Sequence, residues 1–411
     1  MCRCLYYAAR SSDRVWRTES NEQDELVRVA IDGQFRSLPP SGTGTYLEQL
    51  LDELPRVAPG DEFLVIDPAR SERDQRARRL LPDTLKNDAR VRRLRWETVG
   101  FEQAARPLRP DLLHIPSFAA PLRSETPFVV TIHDAIPFVL PAYQASLPMR
   151  AHLALMRRTT SRATLVLTPS EAAADDLNRV LGIPSERIRV TPEAADPRFA
   201  PAASRQLRSD LAERYGLHGP YIFNVGGLDV RKRVDLLIEA FALVRHRLPA
   251  GTKLLIGGKA HSGNPAVYPP IEPLIAELGV GNDVILTGWL GDDEKLALYQ
   301  AAAAYVTPSI YEGFGLTPLE AMACGTPVIA ANRTSFPEVI GDAGLLVEPE
   351  VGPLSRAIVR LLNDPALQRE LSDRGLARAG QFSWRRLAEQ TVSAYREAIE
   401  LARSTTHREK H

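Results

Sequence analysis

Short apolar runs alternate with amphipathic stretches along most of the 411-residue chain. This alternation is typical of parallel β-sheets whose strands are joined by crossover helices. The apolar runs predict strands at Val27–Phe35, Glu62–Asp67, Val91–Trp96, Asp111–Ser117, Phe128–Asp134, Thr164–Ser170, Arg187–Pro192, Tyr221–Gly226, Lys253–Gly258, Asp283–Gly288, Ala304–Pro308, Pro327–Ala331 and Gly344–Val347. Because these runs form two series of about six strands each, the pattern predicts two doubly wound α/β domains.

The junction between the two series lies between Pro197 and Gly219, where a Pro-rich stretch leads into a charged helix. The predicted segments are a disordered leader over residues 1–24, a first domain over residues 25–200, a second domain over residues 201–383, and a helix with a tail over residues 384–411. The apolar face of that last helix is predicted to comprise Leu387, Val392, Tyr395 and Ile399.

Composition narrows the class of protein. Apolar residues make up 44% and charged residues 25% of the chain, and the formal net charge is zero. These values are typical of a soluble globular protein and give no positive field that would favour nucleic acid as a partner. No apolar run approaches the roughly 20 residues that a membrane-spanning helix needs, and the first residues lack the apolar core of a signal peptide. We therefore expect a cytoplasmic protein.

Cysteine usage and carboxylate spacing give no sign of a metal site. Cys2 and Cys4 lack the second pair that a zinc site needs, and Cys324 lies in a predicted short helix as a small buried side chain. The acidic run Asp292–Glu294 begins a predicted helix, where acidic residues are favoured by the helix dipole. We expect a reducing compartment and no essential metal.

The stretch Tyr311–Ala330 is the most informative in the chain, because it carries two glutamates eight positions apart. Glu312 lies in a glycine-rich loop, and Glu320 lies in the first turn of the helix that follows. Thr317 is the predicted N-cap of that helix and Pro318 its first residue. Free N–H groups and the positive end of the dipole at such a helix start favour a phosphate. A capping box between Thr317 and Glu320 is an alternative explanation for the second glutamate alone.

A second motif joins a strand end to two cations. Gly226 and Gly227 end a strand, and Arg231 and Lys232 follow in a short polar loop. Ligands of open α/β sheets bind at the carboxyl ends of strands, and two adjacent cations suit a diphosphate. The same cations would neutralise a leaving group as its charge develops. A solvated basic helix start is the alternative.

Two further strand ends carry less specific signals. Gly42 and Gly44 follow the first strand and open a helix, a pattern that an ordinary βα turn also explains. His133 and Asp134 end an apolar strand, where a buried core histidine is the alternative explanation; His114 is a similar, weaker candidate.

The Tyr311–Ala330 run resembles the signature of retaining GT-B glycosyltransferases, in particular family 4, also called glycosyl transferases group 1. These enzymes carry two glutamates with this spacing, an intervening Gly-Phe-Gly and the continuation Glu-Ala-Met-Ala-Cys-Gly-Thr-Pro-Val-Ile-Ala, which this chain matches. The resemblance extends over nearly all of residues 25–403. It implies two facing Rossmann-like doubly wound parallel-sheet domains, with a C-terminal helix that crosses back onto the first domain. Residues 227–232 and 133–137 resemble the mannosyltransferase branch.

The resemblance also implies roles for individual residues. Glu312 would contact the donor sugar and Glu320 would hold the ribose hydroxyls. The loop amides that face the sugar and the distal phosphate would be those of Gly313, Phe314, Gly315, Leu316 and Thr317. Several relatives have an arginine where Gly227 stands, so Arg231 and Lys232 would carry the phosphate contacts unaided.

In the first domain, the resemblance implies that Gly42 and Gly44 close over the donor phosphates and that His133 positions the sugar. Asp134 would bind the acceptor or orient His133. Main-chain groups near Leu290, in the second domain, would read the base edge.

The implied reaction moves a hexose from a nucleoside diphosphate sugar to an acceptor hydroxyl and retains the anomeric configuration. GDP-mannose is the expected donor, and the expected acceptor is a lipopolysaccharide, an exopolysaccharide or a lipid-linked glycan. The alternatives are a glucosyltransferase or synthase using UDP- or ADP-glucose, a sugar-nucleotide epimerase of the same fold, and a non-catalytic nucleotide-sugar-binding module. A dinucleotide oxidoreductase is disfavoured because no full Gly-x-Gly-x-x-Gly follows a predicted strand.

Residues 70–95 contain ten basic and four acidic side chains. An excess of this kind suits anionic lipid or a pyrophosphate-linked acceptor, which would make the protein peripheral on the inner face of the plasma membrane. A solvated face of ordinary helices is an equally open interpretation.

Overall fold

A computed structural model describes residues 14–16, 26–37, 41–68, 89–118, 120–144, 146–204, 206–259 and 264–408. The chain divides into two compact units. The first unit is built from the chain up to Val139, from Gln144–Glu193 and from the chain after Trp384; the second is built from Leu140–Tyr143 and Ala194–Ser383. The short segment Leu140–Tyr143 therefore belongs to the second unit although it lies within the first half of the sequence.

A seven-stranded sheet forms the centre of the first unit. Its strands are β1 (Arg14–Trp16), β2 (Arg28–Asp32), β3 (Glu62–Ile66), β4 (Leu112–Ile115), β5 (Phe128–Thr131), β6 (Leu165–Thr168) and β7 (Ile188–Val190). Their spatial order is β1-β3-β2-β4-β5-β6-β7. Strands β2 to β7 run parallel, and β1 pairs with β3 antiparallel.

Helices lie between these strands in the sequence. They are α1 (Gly42–Val57), α2 (Ala89–Arg95), α3 (Phe101–Ala105), α4 (Ile136–Val139), α5 (Leu147–Thr160) and α6 (Glu171–Asp176). Shorter turns are π-helical at Trp96–Gly100 and Leu177–Leu181, and 3-10 at Gln34–Ser37, Arg106–Leu108, Pro141–Gln144 and Ser185–Arg187. Helix α1 begins where the Ser41 hydroxyl accepts a hydrogen bond from the Gly44 amide at 3.2 Å.

Two parts of the first unit differ from the sequence-based expectation. The predicted strand Val91–Trp96 is wrong, because these residues continue helix α2 into a π-helical turn. Val91 and Leu94 are spaced i, i+3, as on a helix face, and the arginines between them are good helix formers. Within the expected leader, Arg14–Trp16 form an edge strand on β3; the rest of residues 1–24, including Cys2 and Cys4, lies outside the described residues.

A six-stranded parallel sheet forms the centre of the second unit. Its strands are β8 (Tyr221–Val225), β9 (Lys253–Gly257), β10 (Val284–Gly288), β11 (Ala304–Thr307), β12 (Val328–Ala331) and β13 (Leu345–Val347). Their order is β10-β9-β8-β11-β12-β13, and all neighbours are parallel. All six strands were predicted from the sequence.

The strand order of this sheet reverses between β8 and β11. The chain proceeds from β8 to β9 and β10 on one side, and then returns to β11, β12 and β13 on the other. At such a switch point the loops that leave the two central strands diverge, and ligands of open α/β sheets bind in the resulting crevice at the carboxyl ends. The topology therefore predicts a ligand-binding site at the loops that follow Val225 and Thr307.

Helices cover both faces of the second sheet. They are α7 (Ser209–Tyr215), α8 (Val234–Val244), α9 (Glu272–Glu277), α10 (Asp292–Ala301), α11 (Leu316–Ala323), α12 (Phe336–Ile340), α13 (Val351–Leu362) and α14 (Pro365–Ala379). Short 3-10 turns lie at Val230–Lys232, Arg245–Arg247 and Gly341–Ala343. One apolar core joins α8 and α13 to the sheet, and another joins α10 and α11 to it.

The last helix, α15 (Trp384–Arg408), belongs to the first unit. It packs against α1, and all four residues of its predicted apolar face are buried. The Tyr395 hydroxyl lies 2.7 Å from Nδ1 of His114, which is buried on β4. Among the described residues, no helix is both long enough and apolar enough to cross a bilayer.

Candidate active site

The loops that leave β8 and β11 bring together two cations and two carboxylates. Nη1 of Arg231 lies 2.7 Å from one carboxylate oxygen of Glu312, and Nζ of Lys232 lies 2.6 Å from the other. On its other side, Nε of Arg231 lies 3.0 Å from a carboxylate oxygen of Asp229. We call Asp229, Arg231, Lys232 and Glu312 the switch-point cluster. Its four side chains are each less than one-fifth exposed, so their mutual attraction is screened far less than at the surface.

The charge state of Glu312 follows from this environment. Burial alone would raise its pKa, but the positive charges of Arg231 and Lys232, with hydrogen bonds from Lys232 and Ser309, outweigh burial and lower the pKa to about 2. Glu312 is therefore ionised at neutral pH. A carboxylate of this kind is a strong hydrogen-bond acceptor and a weak proton acceptor.

Backbone contacts fix the position of Glu312. Its amide donates to the Thr334 hydroxyl at 3.0 Å, and the Ser335 hydroxyl donates to its carbonyl oxygen at 3.1 Å. Thr334 adopts a left-handed φ of 45°, and Arg233, next to Lys232, adopts a φ of 49°. Non-glycine residues rarely take this conformation, and strain of this type concentrates at functional sites.

Asp229 and Tyr143 were not identified from the sequence. The Tyr143 hydroxyl donates to Asp229 at 2.8 Å, and burial together with the Asp229 charge raises the pKa of Tyr143. Arg231 also donates to the Tyr311 carbonyl at 3.1 Å. Arg231 is thus held from two sides, by Asp229 and by the Glu312 loop. The 86 positions between Tyr143 and Asp229 explain why no local pattern indicated this pair.

The predicted glycines at the end of β8 allow close packing of the loop. Gly226 has a φ of 153°, and a Cβ atom there would lie 3.4 Å from Nζ of Lys232. Gly258, at the end of β9, has a φ of 123°, and a Cβ atom there would lie 1.9 Å from the Gly226 carbonyl oxygen. Only glycine fits at position 258 without moving the backbone beneath Lys232. Gly227 continues this loop.

Helix α11 starts two residues earlier than predicted. Gly315, with a φ of 114°, is the N-cap in place of Thr317, and Leu316 is the first helical residue. A Cβ atom at position 315 would lie 2.9 Å from the Phe336 ring, so the loop turns where glycine alone fits. Gly313 and Phe314 precede this turn, and Phe314 is buried against the Phe382 ring.

Glu320 is directed away from the start of its own helix. One of its oxygens lies 3.3 Å from Nζ of Lys295, and the other accepts from the Tyr299 hydroxyl at 3.0 Å. Both partners lie on α10, so the capping box with Thr317 is wrong as an explanation of this glutamate. Burial raises the pKa of Glu320 although Lys295 and Tyr299 both favour the ionised form. Lys295 also lies 4.7 Å from the centre of the Phe199 ring.

The Leu290 side chain is packed in the core and the acidic run after it caps a helix, whereas the reading of a base edge by main-chain groups near Leu290 stays a prediction. The Leu290 side chain is buried in the core, 2.6 Å from where a Cβ of Gly257 would lie. Asp292 begins helix α10, and Glu294 accepts a hydrogen bond from the Gly291 amide at 3.4 Å. Within the described part of the chain, no group of three or more His, Cys, Asp or Glu residues could hold a metal ion.

In the first unit, His133 pairs with a glutamate that the sequence did not single out. Nδ1 of His133 lies 2.8 Å from Oε1 of Glu193, and the Tyr46 ring packs edge-on against the imidazole at a centroid distance of 4.8 Å. Nε2 of His133 is buried and has no hydrogen-bond partner among the described residues. His133 thus presents one ring nitrogen for a ligand.

The remaining first-unit candidates have structural explanations. Asp134 accepts the Ile136 amide at 2.9 Å, as an Asx turn that starts α4. His114 is fully buried, with its ring nitrogens 2.7 Å from Tyr395 and 2.8 Å from Thr131, and burial lowers its pKa to about 3. Gly42 and Gly44 lie in the first turn of α1 with negative φ values.

The sequence model described as "Glycosyl transferases group 1" matches residues 213–378, and that described as "Glycosyltransferase Family 4" matches residues 40–199. O-antigen chain mannosyltransferase B of Escherichia coli is 32% identical over 269 residues, which span 65% of this chain and 70% of that relative. The chain belongs to glycosyltransferase family 4.

Two further comparisons describe this family 4 glycosyltransferase. MMP alpha-(1->4)-mannosyltransferase of Mycolicibacterium hassiacum is 33% identical over 252 residues, which span 60% of this chain and 57% of that relative. Sucrose-phosphate synthase of Thermosynechococcus elongatus superposes with a TM-score of 0.70 at 22% identity, over 91% of this chain and 99% of that one. The likeness establishes the GT-B fold for the glycosyltransferase.

Three residues of this chain that were predicted to bind the donor, Arg231, Lys232 and Glu312, lie together at the switch point of the second unit. The fourth, Glu320, lies on α11.

Proposed function

We propose that this glycosyltransferase moves a hexose, mannose from GDP-mannose, to a hydroxyl of a cell-surface glycan or lipid-linked acceptor, and that it retains the anomeric configuration. Membership of glycosyltransferase family 4 supports transfer from a nucleotide sugar. Two relatives are named mannosyltransferases, and one of these is named for O-antigen chains, which supports mannose and a polymeric glycan. The observation that carries the proposal is the convergence of Arg231 and Lys232 on Glu312 at the switch point.

The donor would bind to side chains of the switch-point cluster and to backbone amides near it. Arg231 and Lys232 would face the diphosphate, together with the amides around Gly315 at the start of α11. From the family resemblance, we propose that Glu320 binds the ribose hydroxyls; a carboxylate held by Lys295 and Tyr299 still has lone pairs to accept them. The two cations would neutralise the departing diphosphate, which is the work that a metal ion does in other transferases. We therefore propose a reaction without an essential metal.

The low pKa of Glu312 argues against this residue as the nucleophile of a glycosyl-enzyme intermediate. A carboxylate whose pKa is about 2 is a poor proton acceptor and, paired with two cations, a poor nucleophile. We assign Glu312 to positioning the sugar. In the proposed step the bond from C1 to the phosphate oxygen breaks, and the acceptor oxygen bonds C1 on the same face. The departing phosphate oxygen takes the acceptor proton, so no second carboxylate is required.

His133 and the acceptor residues belong to the first unit. From the family resemblance, we propose that His133 contacts the donor sugar and that Asp134 lies toward the acceptor. Because lipid-linked glycans and lipopolysaccharides are among the expected acceptors, the proposed place of action is the cytoplasmic face of the membrane. The basic excess at residues 70–95 lies mostly outside the described residues.

A donor panel tests the proposal. Purified protein is incubated with GDP-mannose, UDP-glucose or ADP-glucose and a mannose-terminated glycan carrying a lipid aglycone, and nucleotide release is followed with Glu312→Gln as the inactive control. We expect transfer from GDP-mannose, a rise in melting temperature with GDP by mass action, and an α-mannoside by the one-bond C1–H1 coupling. Transfer from UDP- or ADP-glucose alone would replace the donor assignment, and a β-linked product would overturn retention.

A further inference from the structure

The His133–Glu193 dyad, meaning these two side chains, is the strongest feature that the donor-binding scheme leaves unexplained. His133 follows β5 and Glu193 follows β7, so the parallel sheet brings both strand ends to one edge of the first unit. The Glu193 side chain is 5% exposed and the His133 side chain 19% exposed. Because the Glu193 carboxylate is buried and paired with the His133 imidazole, it restricts the orientation of that ring.

The hydrogen-bond chemistry of the dyad fixes which ring nitrogen is presented. An ionised carboxylate can only accept hydrogen bonds, so Nδ1 of His133 must carry the proton that lies between the two residues. Nε2 is then the remaining ring nitrogen. It is buried and has no partner among the described residues. A buried polar atom without a partner is costly, and at functional sites it indicates a group that a ligand satisfies.

A second contact, from the Tyr46 ring, fixes the plane of the imidazole. The Tyr46 ring meets the His133 ring at 75° with centroids 4.8 Å apart, and the Tyr46 hydroxyl lies 3.0 Å from the Thr131 hydroxyl. Tyr46 lies on α1, two residues after Gly44. The ring of His133 is therefore held by a hydrogen bond at Nδ1 and by packing from α1, and both contacts leave Nε2 as the group that meets a ligand.

We propose that Glu193 is a positioning residue of the transfer reaction, which holds His133 in the Nδ1–H tautomer so that Nε2 receives a hydrogen bond from a hydroxyl of the donor hexose. The inference rests on the proposed function, because it takes the ligand of His133 to be the sugar. It adds a residue and a tautomer that family membership does not supply. The competing explanation is that Glu193 serves only to stabilise the first unit.

A double-mutant cycle separates these explanations. Glu193→Gln in the otherwise unchanged enzyme should lower kcat/KM for GDP-mannose about tenfold, as the loss of a group that orients a binding residue often does. In a His133→Ala background the same change should cost less than about twofold, because Glu193 acts through His133. An equal loss in both backgrounds would overturn the proposal. Glu62→Gln is the matched control, since Glu62 is an equally buried glutamate of the same unit, paired with Arg28.

Nitrogen NMR of the protein labelled with ¹⁵N-histidine tests the dyad without any turnover. The chain has eight histidines, and the His133 signals are those that disappear in His133→Ala. We expect the neutral ring of His133 to carry its proton on Nδ1 and none on Nε2, and a mixture of the two tautomers in Glu193→Gln. If the unchanged protein instead carried the proton on Nε2, the inference would be wrong even if sugar transfer were observed. Absence of transfer from every donor would instead sink the proposed function and leave the dyad measurement valid.

Discussion

Glu312 is the residue on which both cations of the switch-point cluster converge. Its carboxylate offers Arg231 and Lys232 the same kind of oxygen ligands that a diphosphate would offer. Under the proposed function, carboxylate and diphosphate would therefore compete for the same N–H groups. Donor binding by these cations would require Glu312 to exchange one or both ion pairs for contacts with the sugar. The two positive charges of the cluster are balanced by the negative charges of its two carboxylates. The electric field that the cluster exerts on an incoming anion is therefore small.

Replacing Glu312 by Gln should therefore separate binding from turnover. A neutral amide competes less for Arg231 and Lys232, so we expect GDP to bind several-fold more tightly. Transfer should fall about a hundredfold or more, because a group aimed at the reacting sugar is lost. Calorimetric titration with GDP and initial rates with GDP-mannose measure the two effects. Glu348→Gln, which removes an exposed partner of Arg333, is the control and should change neither; weaker GDP binding by Glu312→Gln would refute the competition.

The same ion pairs predict how the pH–rate profile behaves. The folded pKa of Glu312, about 2, lies below the ordinary value of 4.5. The pairs therefore contribute stability above about pH 4.5, and this contribution is lost as the pH falls toward 2. In the unchanged enzyme, we therefore expect the pH profile of kcat/KM to show no acid limb with an apparent pKa near 4.5. Because kcat/KM reports the free enzyme, such a limb, absent from Glu312→Gln, would show that the two cations do not hold Glu312 before the donor binds.

At the scale of elements, the turns that leave β8 and β9 are built on contacts that glycine alone permits. The Gly258 amide donates to the Gly288 carbonyl at 2.7 Å, and the Gly226 amide donates to the Gly257 carbonyl at 3.1 Å. These bonds bring the ends of three parallel strands into one layer beneath Lys232. The geometry of the cations thus depends on backbone packing between neighbouring strands as much as on their own loop.

Gly258→Ala tests this dependence. The added methyl would collide with the Gly226 carbonyl and would also force a left-handed φ on alanine. We expect a loss of about 2 kcal/mol or more in the free energy of unfolding, and weaker GDP binding because the Lys232 loop must shift. Urea unfolding and calorimetry measure the two. Gly281→Ala, at a position with open space around it, is the control and should be close to neutral; a Gly258→Ala protein equal to it would contradict the packing argument.

Elements were more predictable from the sequence than the contacts between them. Strands β8 to β13 are short apolar runs with a glycine or proline at one or both ends, and each was predicted. Val91–Trp96 was misassigned because a short run with apolar residues at both ends fits a strand as well as one helical turn. The start of α11 was placed at Thr317 because that residue is a good N-cap, whereas the packing of Gly315 against Phe336 decided it. At this helix start, a tertiary contact outweighed the local N-cap preference.

Across the whole molecule, the contacts that the sequence could not indicate join residues far apart in the chain. Glu312 was identified because a local motif carries it. Glu193 lies 60 positions from His133, and Tyr395 lies 281 positions from His114. Nothing in the local sequence around Glu193 or Tyr143 distinguishes these residues from ordinary loop positions. Such partners become visible only once the sheet order and the return of α15 place them.

The buried pair of His114 and Tyr395 predicts the acid sensitivity of the whole fold. The pKa of His114 is about 3 in the folded protein, against an ordinary value of 6.5, because burial opposes its charge. Above pH 6.5 both the folded and the unfolded chain keep this imidazole neutral. As the pH falls below 6.5, only the unfolded chain takes up the proton, so stability is lost progressively until about pH 3.

Linkage gives the size of this loss. Between pH 7.5 and pH 5, His114 alone should remove about 2 kcal/mol from the free energy of unfolding. His114→Gln keeps polar atoms that can meet Thr131 and Tyr395 but cannot titrate, so it should lower stability at pH 7.5 and reduce the further loss at pH 5. Urea unfolding followed by tryptophan fluorescence at the two pH values measures the difference. His246→Gln, on an exposed turn of the second unit, is the control and should keep the pH dependence of the unchanged protein. Equal losses between pH 7.5 and pH 5 in His114→Gln and His246→Gln would show that His114 is already charged, or solvated, within the folded first unit.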